Sequence, residues 1–354
     1  MSELRQILDL WQRARDANEE VCLATGVAIE GSAYRRPGAR MLLTASGRRA
    51  GTVSGGCLEG EIAKKAWWLT ANGPSIQRYS SFFDDDGDMP YGLGCGGTVL
   101  VLLERGEAAR QGLEAIRRCV EQRMASVVVI ATGSTSPGTV LIRNETGAAV
   151  YRPATGEPAQ NTQADALASE ALQARVSWIA DDYYVEYVAP PPALFVFGAG
   201  DDAQPLVQFA AAQGWCVSVA DSRAQLLRAD RFPEASRVLS LGNALGGPAP
   251  DDAAVIMTHS YEQDRQILRV LLPLNMKYLG ILGPRRRSER LSSEVAPEIG
   301  LTPEDCLARL HSPVGLDLGG HSPAAIALSI AAELQAVLAG REAKKLSIAR
   351  LVHL

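Results

Sequence analysis

The chain has no excess of positive charge, no CxxC pair and no long apolar run, and each shortage removes a class of function. A net charge of −5 over 354 residues, with no basic tail, argues against general attraction to nucleic acid. Six cysteines at irregular spacing are not a disulfide framework in a chain this long, and without a CxxC pair or a Cys/His cluster they make no zinc site. They are expected to stay thiols in a reducing cytosol. No uncharged stretch approaches transmembrane length, and Met1-Ser2-Glu3-Leu4-Arg5 opens an amphipathic helix rather than a charged segment leading into an apolar one. The expectation is a cytoplasmic protein with neither a membrane nor a nucleic acid as partner. The remainder, 47% hydrophobic and 21% charged, is ordinary soluble composition, and the length suits two domains.

What is present in quantity is glycine beside cysteine. Cys57 lies in Val53-Ser54-Gly55-Gly56-Cys57-Leu58-Glu59-Gly60 and Cys95 in Gly94-Cys95-Gly96-Gly97. Glycines let a backbone approach a ligand, so Gly55, Gly56, Gly96 and Gly97 are candidate binding residues. Cys57 precedes the apolar-periodic run Leu58, Ile62, Ala63, Ala66, Trp67, which places it in the first turn of a helix. Unpaired amides and the helix dipole there favour a thiolate, making Cys57 and Cys95 candidates for catalysis or for holding a metal. The plain alternative is a glycine turn feeding a helix, with Cys57 a small buried residue. The basic loop Tyr34-Arg35-Arg36-Pro37-Gly38-Ala39-Arg40 faces the same site in this reading, with Arg36 a candidate anion-binding residue. Asp84-Asp85-Asp86-Gly87-Asp88 fails the register of a calcium loop because Met89 takes the glycine position, and it reads as solvated surface.

The fold class is α/β. An N-terminal mixed α/β domain, 1–189, begins with a helix over 3–18 and the strand Val21 to Ile29. A mixed sheet continues with strands at 41–44, 50–54, 98–103 and 126–130, a helix at 108–123 and a hairpin around Asn144-Glu145-Thr146-Gly147. Pro190-Pro191-Pro192 is a stiff linker. A Rossmann-like doubly wound parallel sheet follows, 193–354. The strand 193–197 enters Gly198-Ala199-Gly200-Asp201-Asp202-Ala203, a G-x-G-x-x-A turn, then a helix, then a strand ending at Asp221, where such folds keep the carboxylate that holds a ribose hydroxyl. Strands at 253–257 and 278–282, a helix over 262–272 and a last helix from Pro323 behind Ser322 complete the pattern.

Ligands in such sheets sit at the carboxyl ends of the strands. Gly198, Gly200, Asp221, Arg223, His259, Arg285 and Gly319 fall there and are candidate cofactor-binding residues, with Arg286 and His321 nearby. Glycine amides at helix starts and guanidinium forks suit a phosphorylated ligand. The alternative for Arg285, Arg286, Arg287 and Arg290 is a solvated helix start. Asp201 and Asp202 would repel a phosphate there unless their side chains turn away, pair with arginine or hold a metal.

These motifs together carry a family resemblance. Gly31 to Met41, Gly51 to Gly60 and Cys95-Gly96-Gly97 resemble the N-terminal domain of the xanthine dehydrogenase accessory factor (XdhC/CoxI) family. Phe197-Gly198-Ala199-Gly200, Asp221-Ser222-Arg223, Arg231-Phe232-Pro233, Thr258-His259-Ser260, Gly280 to Gly283 and Gly315 to Gly319, with Ala327 to Glu333, are similar to its C-terminal Rossmann domain. The chain departs from the family at Asp201, where many members carry histidine, and at Ala325, where they carry glutamate.

The resemblance implies a maturation factor that binds molybdenum cofactor, as molybdopterin or its dinucleotide, in the sulfurated form and assists its insertion into a molybdenum hydroxylase apo-enzyme. It also implies a cysteine desulfurase as a further partner and a homo-oligomer. Glycine amides and arginines would take the pterin phosphate, and Cys57 or Cys95 the metal face. Two rivals stand beside it. One is an NAD(P)-dependent oxidoreductase using the Rossmann domain, with NAD(P) as cofactor. The other is a thiol-based sulfur-transfer enzyme with a persulfide on Cys57.

Overall fold

The computed structural model describes residues 3–56, 58–80, 97–133, 136–154 and 158–345. Cys57, Cys95, Gly96 and the acidic run 84–88 lie outside the described residues. The chain forms two compact units, Glu3–Pro191 and a second one beginning at Pro192.

In the first unit, side chains alternating across each strand give every sheet two buried faces. Helix α1 (Glu3–Asp16) leads into β1 (Val21–Gly31), β2 (Arg40–Thr44) and β3 (Arg49–Gly51). Next come α2 (Glu59–Leu69), β4 (Ser75–Ser80), β5 (Gly97–Arg105) and α3 (Gly106–Gln122). The strands form one sheet in the order β3-β2-β1-β5-β4. On one face Cys22, Ala24, Met41, Leu43, Val101 and Leu103 pack against Leu58, Ile62 and Ala66 of the α2 segment. On the other, Leu23 and Leu42 meet Ile7 and Trp11 of α1 and Leu113 and Ile116 of α3.

A second sheet is built from β6 (Ser126–Ala131), β7 (Gly138–Asn144), β8 (Ala149–Tyr151), β9 (Trp178–Ala180) and β10 (Tyr183–Val188) in the order β8-β7-β6-β10-β9. Helix α4 (Pro158–Ala174) covers one face through Ala164, Ala168 and Ala171. The expected single mixed sheet is therefore corrected to two separate sheets, in each of which every pair is antiparallel. Buried polar contacts join them. Arg40 of β2 grips Glu186 of β10, with Nη1 donating to Oε1 at 2.7 Å, and Glu104 of β5 accepts from Thr139 N and Oγ1 at 2.6 and 2.8 Å.

The second unit is a parallel sheet of β11 (Ala193–Phe197), β12 (Cys216–Asp221), β13 (Arg237–Ser240), β14 (Ala253–Ile256) and β15 (Tyr278–Ile281), ordered β13-β12-β11-β14-β15. Its strands are near-continuous apolar runs because helices lie on both sides. Leu194, Val196, Val217 and Val255 face α5 (Ala203–Ala212) and α10 (Pro323–Leu338). Phe195, Phe197 and Ile256 face α6 (Leu241–Ala244), α7 (Tyr261–Leu271) and α8 (Arg285–Ile299), with the short α9 (Pro303–Ala308) beyond. Strand order reverses between β11 and β14, so the turns after these two strands flank the switch point where such sheets bind ligands.

Candidate functional site

At one end of the first unit three glycine-bearing segments converge. Gly31, the last residue of β1, pairs with Gly97 at the start of β5, and a Cβ on Gly97 would stand 2.1 Å from the Ser32 carbonyl oxygen. Only glycine fits there. Gly55 and Gly56 have φ of +91° and +123°, are exposed, and form a turn in which a Cβ on Gly55 would stand 3.8 Å from Tyr34 Cβ while one on Gly56 would have none of the described residues beyond its chain neighbours within 4 Å. The turn holds its shape through a residue whose role the sequence did not signal. The buried Glu59 carboxylate accepts from Val53 N at 3.0 Å, Ser54 N at 2.9 Å and Ser54 Oγ at 2.8 Å, and Ser54 Oγ in turn accepts from Leu58 N at 3.0 Å. Burial pushes the Glu59 pKa up, but the hydrogen bonds from Ser54 and Val53 outweigh it and hold the group below its ordinary value. A negative charge thus sits at the start of α2, opposing part of the help the helix dipole would give a thiolate at Cys57.

The arginines of the basic loop are divided. Arg35 pairs with Glu3, whose other oxygen accepts from Thr52 N at 2.8 Å, and Arg40 is buried on Glu186. Those two arginines are structural. Arg36 is exposed and has no ion pair among the described residues. Cys22 and Cys119 are packing residues, their thiols pushed up by burial to about 12 and about 11.

The second unit assembles its switch-point residues differently. Gly198, at φ +125°, is required by close packing, since a Cβ there would stand 2.3 Å from the Met257 carbonyl oxygen. Asp221 is buried at the end of β12, and its carboxylate is fully engaged by Ala199 N at 2.7 Å and by Arg223 through N, Nε and Nη2 at 2.8, 3.0 and 2.8 Å. Burial raises its pKa, but these bonds outweigh it and bring the group down to about 2. The ribose acceptor and the phosphate-binding arginine expected from sequence are instead paired with each other. Asp201 turns to Arg231 at 2.7 Å, and Asp202 Oδ2 lies 2.8 Å from His259 Nε2. Asp201 thus meets an arginine that offsets its charge, while Asp202 keeps its carboxylate in the turn beside a histidine.

Arg285 is exposed and paired one turn ahead with Glu289, and a Cβ on Gly319, at φ +77°, would have none of the described residues beyond its chain neighbours within 4 Å. His321 is exposed. Arg287 departs from the solvated reading, donating through Nε and Nη2 to the buried Asp264 at 3.1 and 2.5 Å. A further cluster was not foreseen. Glu333 of α10 accepts from Tyr278 Oη at 2.6 Å and Gly315 N at 2.8 Å and lies 3.0 Å from His311 Nδ1, anchoring the chain that leads to Gly319. Its signal in sequence was the single charged residue of a mostly apolar helix.

The fold and these loops define a two-unit protein with a glycine-turn site in a mixed α/β unit and a Rossmann unit after it. Family models for "XdhC and CoxI family" match residues 14–80 and for "XdhC Rossmann domain" residues 194–334. The chain belongs to the XdhC/CoxI family. It is 33% identical over 332 residues to a probable xanthine dehydrogenase subunit of Bacillus subtilis, covering 89% of this chain and 92% of that protein. It is 27% identical to the molybdenum cofactor insertion chaperone PaoD of Escherichia coli, covering 94% of this chain and 88% of that one. The crystal structure of a xanthine dehydrogenase from Bacillus halodurans superposes with a TM-score of 0.75 at 29% identity, covering 99% of both chains. Among the described residues no helix is long and apolar enough to cross a membrane, and no group of three or more His, Cys, Asp or Glu side chains could hold a metal ion.

Proposed function

We propose that the chain is a maturation factor that binds sulfurated molybdenum cofactor and assists its insertion into a xanthine dehydrogenase-like molybdenum hydroxylase. The observation that carries this reading is similarity over 94% of the chain to a protein named as a molybdenum cofactor insertion chaperone. The site in the first unit fits a cargo of that kind. Gly56 leaves its outer side open among the described residues, Glu59 fixes the backbone of Val53 and Ser54 that leads into the glycines, and Arg36 offers a cation with no ion pair among the described residues.

In this reading Cys57 and Cys95 supply soft sulfur donors for the metal face of the cargo, and the Gly55-Gly56 and Gly96-Gly97 amides with Arg36 take its oxygens. A cysteine desulfurase, a homo-oligomeric state and a cytoplasmic location belong to the same proposal. The oxidoreductase alternative is weakened by Asp221, whose oxygens are all taken. A sulfur-transfer enzyme would show a persulfide on Cys57 by mass spectrometry after treatment with a sulfide donor.

Protein purified from a molybdate-replete host is expected to carry molybdenum and pterin, read by elemental analysis and pterin fluorescence, and to turn over no common NAD(P) substrate. Cys57→Ala should abolish retention, Cys95→Ala reduce it and Cys119→Ala leave it unchanged. Robust hydride transfer without pterin, or normal retention in both Cys57→Ser and Cys57→Ala, would refute the reading.

A further inference from the structure

The glycine turn of the Rossmann unit already holds an anion, and the anion is the protein's own. Asp202 Oδ1 lies 2.4 Å from where a Cβ on Gly200 would stand, so the carboxylate overhangs the glycine. Its other oxygen, Oδ2, is fixed at 2.8 Å by His259 Nε2. His259 comes from the turn after β14 and sits in the left-handed region at φ +58°, so the pair bridges the two turns that flank the switch point. In dinucleotide-binding sheets a diphosphate rests over this glycine, against the first amides of the following helix. Here the carboxylate takes that space and brings like charge to it.

The neighbouring acids do not share the role. Asp201 is turned onto Arg231, and Asp221 is saturated by Ala199 N and Arg223.

We infer that Asp202, held in place by His259, is the specificity-determining residue that excludes diphosphate ligands from the Rossmann turn. His259 is a positioning residue: it keeps the carboxylate over Gly200 rather than out in solvent. The ligand class concerned is any free diphosphate, from inorganic pyrophosphate to a pyridine dinucleotide. The inference does not rest on the maturation reading, since its readout is binding by the purified chain and is indifferent to whether that chain carries molybdenum.

Isothermal titration of the full-length protein with NAD+ and with inorganic pyrophosphate tests it. Asp202→Ala is expected to gain at least tenfold in affinity for one of the two probes, tenfold being about 1.4 kcal/mol. Asp202→Asn, which keeps the bulk and loses the charge, should gain less, and it guards against a folding defect in the smaller variant. His259→Ala should also gain, because it frees the carboxylate to leave. Asp201→Asn should not. The inference is overturned if the unaltered protein binds both probes as tightly as Asp202→Ala does, or if neither Asp202 variant gains for either probe. It is equally overturned if Asp201→Asn gains as much, since bulk charge rather than position would then be responsible.

Discussion

The two glycine turns are built on one device and finished in opposite ways. Each is anchored by a buried carboxylate that takes loop N–H groups: Glu59 accepts from Val53 and Ser54, and Asp221 accepts from Ala199 and Arg223. The difference lies over the glycines. Among the described residues, chain neighbours aside, nothing stands within 4 Å of where a Cβ on Gly56 would be, whereas the Asp202 carboxylate fills the space beyond Gly200. A glycine-rich motif therefore establishes only that backbone can be approached. Which group approaches it is decided by the side chains one or two residues on, and in the Rossmann unit that group is internal.

The sharpest way to break the comparison is to remove the first anchor. In Glu59→Ala the amides of Val53 and Ser54 lose their acceptor, and a buried donor left unsatisfied costs about 1–3 kcal/mol, so roughly 3 kcal/mol of stability should go. Glu59→Gln keeps one acceptor oxygen and should lose about half as much. Denaturant titration gives both values, and hydrogen exchange at Val53 and Ser54 locates the effect. If Glu59→Ala loses under about 1 kcal/mol with no change in exchange, the carboxylate does not carry the turn.

The second anchor is tested through pH. Asp221 titrates in the folded chain at about 2 against an ordinary 3.8. A depressed folded pKa means that the carboxylate contributes stability present above the unfolded value and lost as pH falls. The contribution, about 2 kcal/mol by the usual conversion, should therefore disappear between roughly pH 4 and pH 2. Arg223→Ala removes the two side-chain bonds of the four to this group and its paired cation, so its folded pKa should rise toward the ordinary value. That variant should be less stable at neutral pH and should lose less on acidification. A parallel acid profile in the two proteins, followed by circular dichroism, would show that the pair does not anchor the turn.

What the sequence disclosed, and what it withheld, divides along the same line. The Rossmann unit was legible from buried apolar strands, the G-x-G-x-x-A turn and Asp221, because a parallel sheet covered on both faces leaves an unambiguous hydrophobic record. The first unit was legible as strands and helices but not as two sheets. Nothing local in 21–31 or 126–131 says that their partners are antiparallel in separate sheets, and the contacts that join the sheets, Arg40 with Glu186 and Glu104 with Thr139, lie far apart in sequence. Helix α4 was missed because it packs through alanines at 164, 168 and 171 in a polar run, a weak periodic signal. At the sites, residue types were visible and their pairings were not: Asp221 and Arg223 were each read as facing a ligand, and they face each other.

The smallest expected effect concerns Arg285, the residue that most directly pits an external ligand against a self-contained turn. It is the first residue of α8, its side chain is 75% exposed, and it reaches Glu289 one turn on at 3.0 Å. An exposed pair at that spacing contributes about 0.3–0.5 kcal/mol, so Arg285→Ala should shift stability by no more than that. If the Rossmann turn is closed by Asp202, an arginine at the opening of a neighbouring helix has no phosphate to meet, and the variant should retain molybdenum and pterin as the unaltered protein does. A tenfold or greater loss of retention would show instead that Arg285 leaves Glu289 to grip the cargo. The two glycine turns would then differ in accessibility only until a ligand arrives.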